Sequence, residues 1–225
     1  MRGLKRTIKP AEKQKLGLTK QNLHHFLDFL LPNGIKEASL RELRDAFIFS
    51  LMFFAAARFD DIKDMKIGHL RFKEDHLKCG LQRLKNQKEN SDVSIVCVAE
   101  FEKDPLSTVK LIKRLVIMRV KDNGAEEDNV LFPALRGKAV EKRAVSYGSV
   151  AGVFKSMLSG LGWSLEEARR FGLHSFRIGA ITAGVESGAL SEDQLRRAGR
   201  WRTSAMISHY TRPSVQSQLA FSNCI

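Results

Sequence analysis

The run AFIFSLMFFAAA, from Ala46 to Ala57, is apolar at every position except Ser50. It carries apolar side chains nearly all round rather than on one stripe, so a helix made of it must be enclosed by other elements. Such a run falls short of the roughly 20 residues a bilayer span needs. It is therefore read as the central helix of a packed domain. Ser39 and Glu42, just ahead of it, have the spacing of a capping box, which fixes where the helix begins. At its far end three alanines give way to Arg58, with Asp61 three positions on. The most buried helix of the chain thus ends on a cation.

The rest of the sequence supplies partners for that helix. Thr19 is an N-cap for a helix whose Leu23, Phe26, Leu27, Leu30 and Leu31 share one face, and Pro32-Asn33-Gly34 ends it. The stretch HLKCGLQRLKNQKENSDVSIVCVA, residues 76–99, has strand-like pieces on either side of a lysine-rich polar tip, the pattern of a β-hairpin or small antiparallel sheet. Asp104-Pro105 offers an N-cap and first-turn proline for a helix to about Val120, and KDNGAEEDN reads as a loop. A further helix over about 146–159 stops at Gly160 and Gly162, and Ser164/Glu167 and Ser191/Gln194 are two more capping boxes. The expected fold class is mainly α with a small antiparallel β-sheet, in one domain.

Charge narrows the function. Among 225 residues there are 38 Lys and Arg against 25 Asp and Glu, a formal net charge of +13. That excess points to an anionic partner, most commonly nucleic acid, because each neutralised phosphate releases counterions. Residues 1–18 concentrate it: Arg2, Lys5, Arg6, Lys9, Lys13 and Lys15 stand against Glu12 alone, and the segment reads as a flexible basic arm. Cys79, Cys97 and Cys224 are odd in number and form no CxxC pair, which argues against a disulfide framework and a structural zinc site. The N-terminus has no apolar core of a secretory signal, and the chain reads as soluble and intracellular.

Several polar residues sit where a simple core pattern would not put them. Singly, each has a plain reading. Arg58 and Asp61 could be a structural ion pair, with Asp61 holding the guanidinium; His174 and Arg177 in HSFRIGAITAG could be surface decoration; Arg83, Lys85 and Lys88 could be a solvated hairpin tip. Together they share one chemistry. Two arginines can each give two N–H bonds to the non-bridging oxygens of a phosphodiester. A histidine can move a proton near neutral pH, a lysine can protonate a leaving alkoxide, and a tyrosine can attack phosphorus once cations or a base activate it.

Arg58-Phe-Asp-Asp61, Lys85, His174-Ser-Phe-Arg177, Gly199-Arg-Trp201 and Tyr210, in that order and rough spacing, resemble the catalytic domain of the tyrosine recombinases, the phage-integrase family, over about residues 19–213. HSFRIGA and GRW look most like recombinases of eukaryotic mobile elements (DIRS-like retroelements and Cryptons), which implies a nuclear location, or a cytoplasmic one if the source is not eukaryotic. The resemblance implies the recombinase catalytic-domain fold and a DNA breaking and rejoining activity. Arg58 and Arg177 would clamp the scissile phosphate and Asp61 would brace Arg58. Lys85 would be the general acid, with Lys88 the competing candidate, and His174 would assist proton transfer. Trp201, whose indole only donates, would bond a phosphate oxygen, and Tyr210 would form a 3′-phosphotyrosyl link. Arg83, Lys88 and Arg200 would contact DNA. The implied partner is duplex DNA, with a homo-oligomer (dimer or tetramer) assembled on it, no membrane, and neither metal nor nucleotide cofactor. Family members commonly carry a separate N-terminal helical domain, where this sequence has the basic arm; residues 214–225 read as a short tail whose Gln218–Phe221 could dock on a neighbour. Two related readings are a domesticated, non-catalytic DNA-binding module and a type IB topoisomerase.

Overall fold

A computed structural model describes residues 15–81, 94–99, 104 and 107–210. Helix α1 (Lys20–Leu30) starts as its sequence requires: the Thr19 hydroxyl accepts from the Asn22 amide at 3.1 Å and the Asn22 side chain accepts from the Thr19 amide at 2.9 Å. After a single turn, α2 (Gly34–Glu37), the Ser39/Glu42 capping box opens α3 (Leu40–Phe54). Every residue of α3 from Leu43 to Phe53 is buried, so the apolar run is the central helix of the domain. A short helix, α4 (Phe59–Ile62), follows it directly.

Two antiparallel sheets flank the helices. Strands β1 (Leu70–Phe72), β2 (His76–Leu81) and β3 (Ser94–Ala99) form the expected sheet in the order β1-β2-β3, with Leu81 opposite Ser94. The alternating Leu77, Cys79 and Leu81 face the core. Helix α5 (Thr108–Ile117) begins at Ser107, whose hydroxyl accepts from the Lys110 amide at 3.3 Å, and not at the expected Asp104. The first helical bond already runs from Leu111 N to Ser107 O, so serine holds the capping position. The second sheet, β4 (Pro133–Arg136) with β5 (Ala139–Ala144), was not expected. Its two-residue turn places Gly137 at φ 61°, a conformation glycine adopts without steric penalty.

The C-terminal half is helical: α6 (Tyr147–Gly160), α7 (Leu165–Arg169), α8 (His174–Glu186), α9 (Glu192–Ala198) and α10 (Ala205–Tyr210). Both capping boxes expected here are present, at Ser164 and Ser191. A phenylalanine cluster joins α8 to the centre: Phe176 stacks on Phe49 of α3 at 5.1 Å and meets Phe154 of α6 at 5.3 Å. Aromatic pairs of this kind contribute about 0.5–1.5 kcal/mol beyond their buried area. No helix among the described residues is long and apolar enough to cross a membrane.

One boundary needs correction. Residues 15–18, assigned to the flexible arm, lie fixed against α7 and α8. Leu16 N donates to Arg170 O at 2.9 Å, Leu18 N donates to Ser175 O at 3.0 Å, and Lys15 Nζ donates to Arg169 O at 2.7 Å. Leu18 is fully buried, and its carbonyl lies so near α8 that a Cβ on Gly179 would sit 1.7 Å from it. Glycine permits the crossing. Two leucines in a lysine-rich context carry no period, which is why the sequence pattern does not reveal the docking.

Candidate active site

The site forms where the C-terminal ends of α3 and α9 converge. Helix α3 ends in a left-handed residue, Ala56 at φ 44°, and Ala57 N bonds back to Met52 O at 3.1 Å. A left-handed turn is a common way to end a helix, but it normally falls to glycine; with a Cβ it costs about 1–2 kcal/mol. The turn exposes the carbonyls of Ala55 and Ala56 and starts α4, with Arg58 at its N-cap and Asp61 in its first turn. On the other side, α9 ends at Gly199 and is followed by Arg200, also left-handed at φ 52°. Ala56 and Arg200 are the two non-glycine residues with positive φ among those described.

Arg177 enters this junction from α8 and is completely buried. Its two terminal nitrogens donate to main-chain carbonyls, Nη1 to Ala56 at 2.5 Å and Nη2 to Gly199. Helix C-termini carry partial negative charge, so two of them, with Asp61 nearby, make a buried cation tolerable. Burial and the charge of Arg58 still draw its pKa down, against the pull of Tyr210 and Asp61. Its Nε finds no acceptor among the described residues.

Helix α10 brings Tyr210 onto this guanidinium. The Tyr210 ring lies 5.3 Å from the Arg177 head, 5.3 Å from the His174 ring and 4.8 Å from the Trp201 indole. Arg177 sits equally close, 5.2 Å, over the Trp201 ring. Thr182 of α8 anchors the helix end by donating to Tyr210 O at 3.1 Å, while Met206 and Ile207 pack beside Ile178 and Ile181. Tyr210 and Trp201 are both buried, and the Trp201 N–H has no partner among the described residues. His174 is partly exposed; burial of the rest of its ring, then Arg177 and Arg58, hold its pKa down to about 4. It is therefore neutral at pH 7.

The model of the phage integrase family matches residues 18–217. This chain belongs to the phage integrase family. Solved structures of tyrosine recombinases share its fold. The XerH site-specific recombinase bound to palindromic difH substrate is 15% identical at a TM-score of 0.66, over 96% of this chain and 55% of that one. The Tn1549 transposon integrase in complex with transposon right end DNA is 15% identical at 0.61, over 99% and 68%. The lambda integrase dimer bound to a COC′ core site is 14% identical at 0.55, over 88% and 48%. The chain spans about half the length of the XerH protein. No curated protein matches it in sequence.

Of the family residues expected here, Arg58, Asp61, His174, Arg177, Trp201 and Tyr210 come together at this junction, although 152 positions separate the first from the last (210 − 58). Arg83, Lys85 and Lys88 lie in the connection from β2 to β3, outside the described residues.

Two expectations need correction. Asp61 does not brace the Arg58 guanidinium among the described contacts: its Oδ2 accepts from the Arg58 amide at 3.0 Å and faces the Arg200 guanidinium at 3.6 Å. The reason is that Arg58 caps α4 instead of lying within it, so the carboxylate meets its main chain. Arg200, expected to contact DNA, turns inward instead. Its side chain is 7% exposed and donates to Ala55 O at 2.9 Å and Ala56 O at 2.7 Å. Charge alone does not reveal this; the signal lies in the left-handed backbone, which turns the side chain toward α3.

Proposed function

We propose that this chain breaks and rejoins duplex DNA through a covalent 3′-phosphotyrosine on Tyr210. The carrying observation is that the Tyr210 ring sits within 5.3 Å of both the Arg177 guanidinium and the His174 ring and 4.8 Å from the Trp201 indole. In this reading the Tyr210 oxygen attacks phosphorus and gives its proton to neutral His174. The bond from phosphorus to the 5′-oxygen breaks, and that oxygen takes a proton from Lys85, or from Lys88. Arg58 and Arg177 neutralise the charge gathering on the non-bridging oxygens, and the Trp201 N–H, which meets no acceptor among the described residues, supplies one more donor. Reversal with a new 5′-hydroxyl rejoins the strand.

Arg177 is preorganised for such a role, because its planar head is already fixed by the two carbonyls. The lambda integrase structure holds a dimer on its core site; assembly of this chain into a dimer or tetramer on DNA is part of the same proposal.

The test begins with selection of duplexes from random sequence by binding. A selected duplex, nicked so that cleavage releases a short fragment, is then offered to the protein. The reading expects a covalent complex with the wild type and none with Tyr210→Phe. A covalent complex that persists in the Phe variant overturns the assignment of the nucleophile. Salt-sensitive binding with no adduct on any duplex identifies a non-catalytic DNA-binding module, and relaxation of supercoiled plasmid without site preference identifies a topoisomerase.

A further inference from the structure

Arg200 is the residue of the junction that no recombinase step accounts for. Its guanidinium touches three parts of the site at once. It donates to Ala55 O at 2.9 Å and Ala56 O at 2.7 Å, at the end of α3, and reaches Ala198 O at 3.3 Å, at the end of α9. Its Nη2 lies 3.6 Å from Asp61 Oδ2, the same oxygen that accepts from the Arg58 amide at 3.0 Å. The Ala56 carbonyl it holds is also the acceptor for Arg177 Nη1.

The two left-handed residues of the site are thereby joined by a single bond, from the side chain of one to the carbonyl of the other. An alanine in that conformation persists only where its surroundings over-determine it. Here they do, because two guanidinium groups share its carbonyl. Removing Arg200 would leave the Ala56 carbonyl bonded to Arg177 alone and the Asp61 carboxylate, buried at 3% side-chain exposure, without a cation at salt-bridge distance among the described residues.

We propose that Arg200 is a positioning residue: by fixing the Ala56 turn and the Asp61 carboxylate it sets the placement of Arg177 and Arg58 for the strand cleavage proposed above, on which this inference rests. It acts through these groups and not on DNA. A misplacement of about 1 Å in a reacting site can slow a reaction on the order of 100-fold, and that is the size of effect expected.

Arg200→Gly is the sharpest probe, since glycine keeps the left-handed backbone without strain while removing the guanidinium. On the selected, nicked duplex its Kd should stay within about twofold of wild type, while adduct formation at saturating DNA slows on the order of 100-fold. Arg200→Lys, which keeps the charge but not the forked donors, should recover only part of the rate. Free guanidinium ion should speed the glycine variant and leave the lysine variant unchanged. A weakened Kd with a wild-type rate at saturation overturns the proposal in favour of a DNA contact, and no change in either overturns it outright.

Amide hydrogen exchange decides the matter independently of cleavage. Segment 56–61 should exchange faster in Arg200→Gly, with α1 and the centre of α3 unchanged. Unaltered exchange at 56–61 overturns the positioning role even if the wild type proves inactive, whereas absence of adduct with the exchange effect present removes the cleavage reading and retains the mechanical one.

Discussion

The Tyr210 ring packs against the Trp201 indole with centroids 4.8 Å apart and planes inclined by 40°, so the residue proposed as nucleophile is held by the residue proposed as hydrogen-bond donor. Trp201 is 7% exposed and belongs with Ala56, Ile178, Ile181 and Tyr210 to a small apolar cluster. Trp201→Ala should therefore destabilise the fold by about 3–5 kcal/mol, as truncation of buried aromatics does, and lose adduct formation. Trp201→His keeps a ring and an N–H donor and should retain part of the activity. Urea unfolding and adduct assays on both variants check this; equal activity in the two would leave the tryptophan a packing role only.

Gly179 and Gly152 make a matched pair of tests. A methyl on Gly179 would meet the Leu18 carbonyl at 1.7 Å, whereas one on Gly152 meets nothing within 4 Å. Gly179→Ala should cost about 1–3 kcal/mol through overpacking and release residues 15–18 from α8. Gly152→Ala, on the exposed face of α6, should stabilise by about 0.5–1 kcal/mol because alanine is the better helix former. Denaturant midpoints measure both, and proteolysis near residue 15 reports the release.

His174 gives the pH dependence. Its pKa is held down to about 4 by burial and then by Arg177 and Arg58, with Asp61 opposing, from an ordinary value of 6.5. Between these values the unfolded chain binds more protons than the folded one, so this residue's contribution to stability rises with pH across the window and is lost as pH falls from 6.5 toward 4. Proton NMR of the imidazole should show a midpoint near 4, and His174→Gln should flatten that part of the stability profile. A midpoint at or above 6.5 would mean that the ring escapes the cations around it.

Away from the site, Arg44 and Asp45 form an ion pair in α3, 2.8 Å apart and each 2% exposed, and Arg44 also donates to Pro133 O of β4 at 2.8 Å. Burial pushes the Asp45 carboxyl up despite the arginine beside it. Arg44→Met leaves that carboxylate without its cation and should cost about 3–5 kcal/mol, whereas adding Asp45→Ala should recover part of the loss. A double-mutant cycle by urea unfolding reads the coupling; additive losses would show the two residues to be energetically independent.

Where the sequence was legible, a local pattern had a single physical solution. Thr19 as an N-cap and Ser39 with Glu42, Ser164 with Glu167 and Ser191 with Gln194 as capping boxes had to open helices, and a run as apolar as Ala46–Ala57 had to lie at the centre. The site residues were readable because their order is that of a known family, not because any one declares itself. What stayed hidden depends on tertiary neighbours. Nothing in RFDD says that Arg58 caps a helix, so that Asp61 meets its amide. Nothing in GRWR says which arginine turns inward, since that follows from the left-handed backbone at Arg200. The second sheet escapes a pattern reading because β5 runs Ala-Val-Glu-Lys-Arg-Ala with three charges in succession and no alternation, and no residue of it is fully buried.

The anchoring of Arg177 has a thermodynamic consequence. A free arginine side chain gives up as much as about 2 kcal/mol of rotamer entropy when it is immobilised on a ligand. Here Ala56 and Gly199 have already frozen the head, and that loss was met when the chain folded. In the proposed reaction a phosphate reaches this buried head only as the Tyr210 and Trp201 rings over it give way. It then meets a donor whose disorder is spent, so its affinity for this arginine should depend strongly on the integrity of two helix ends.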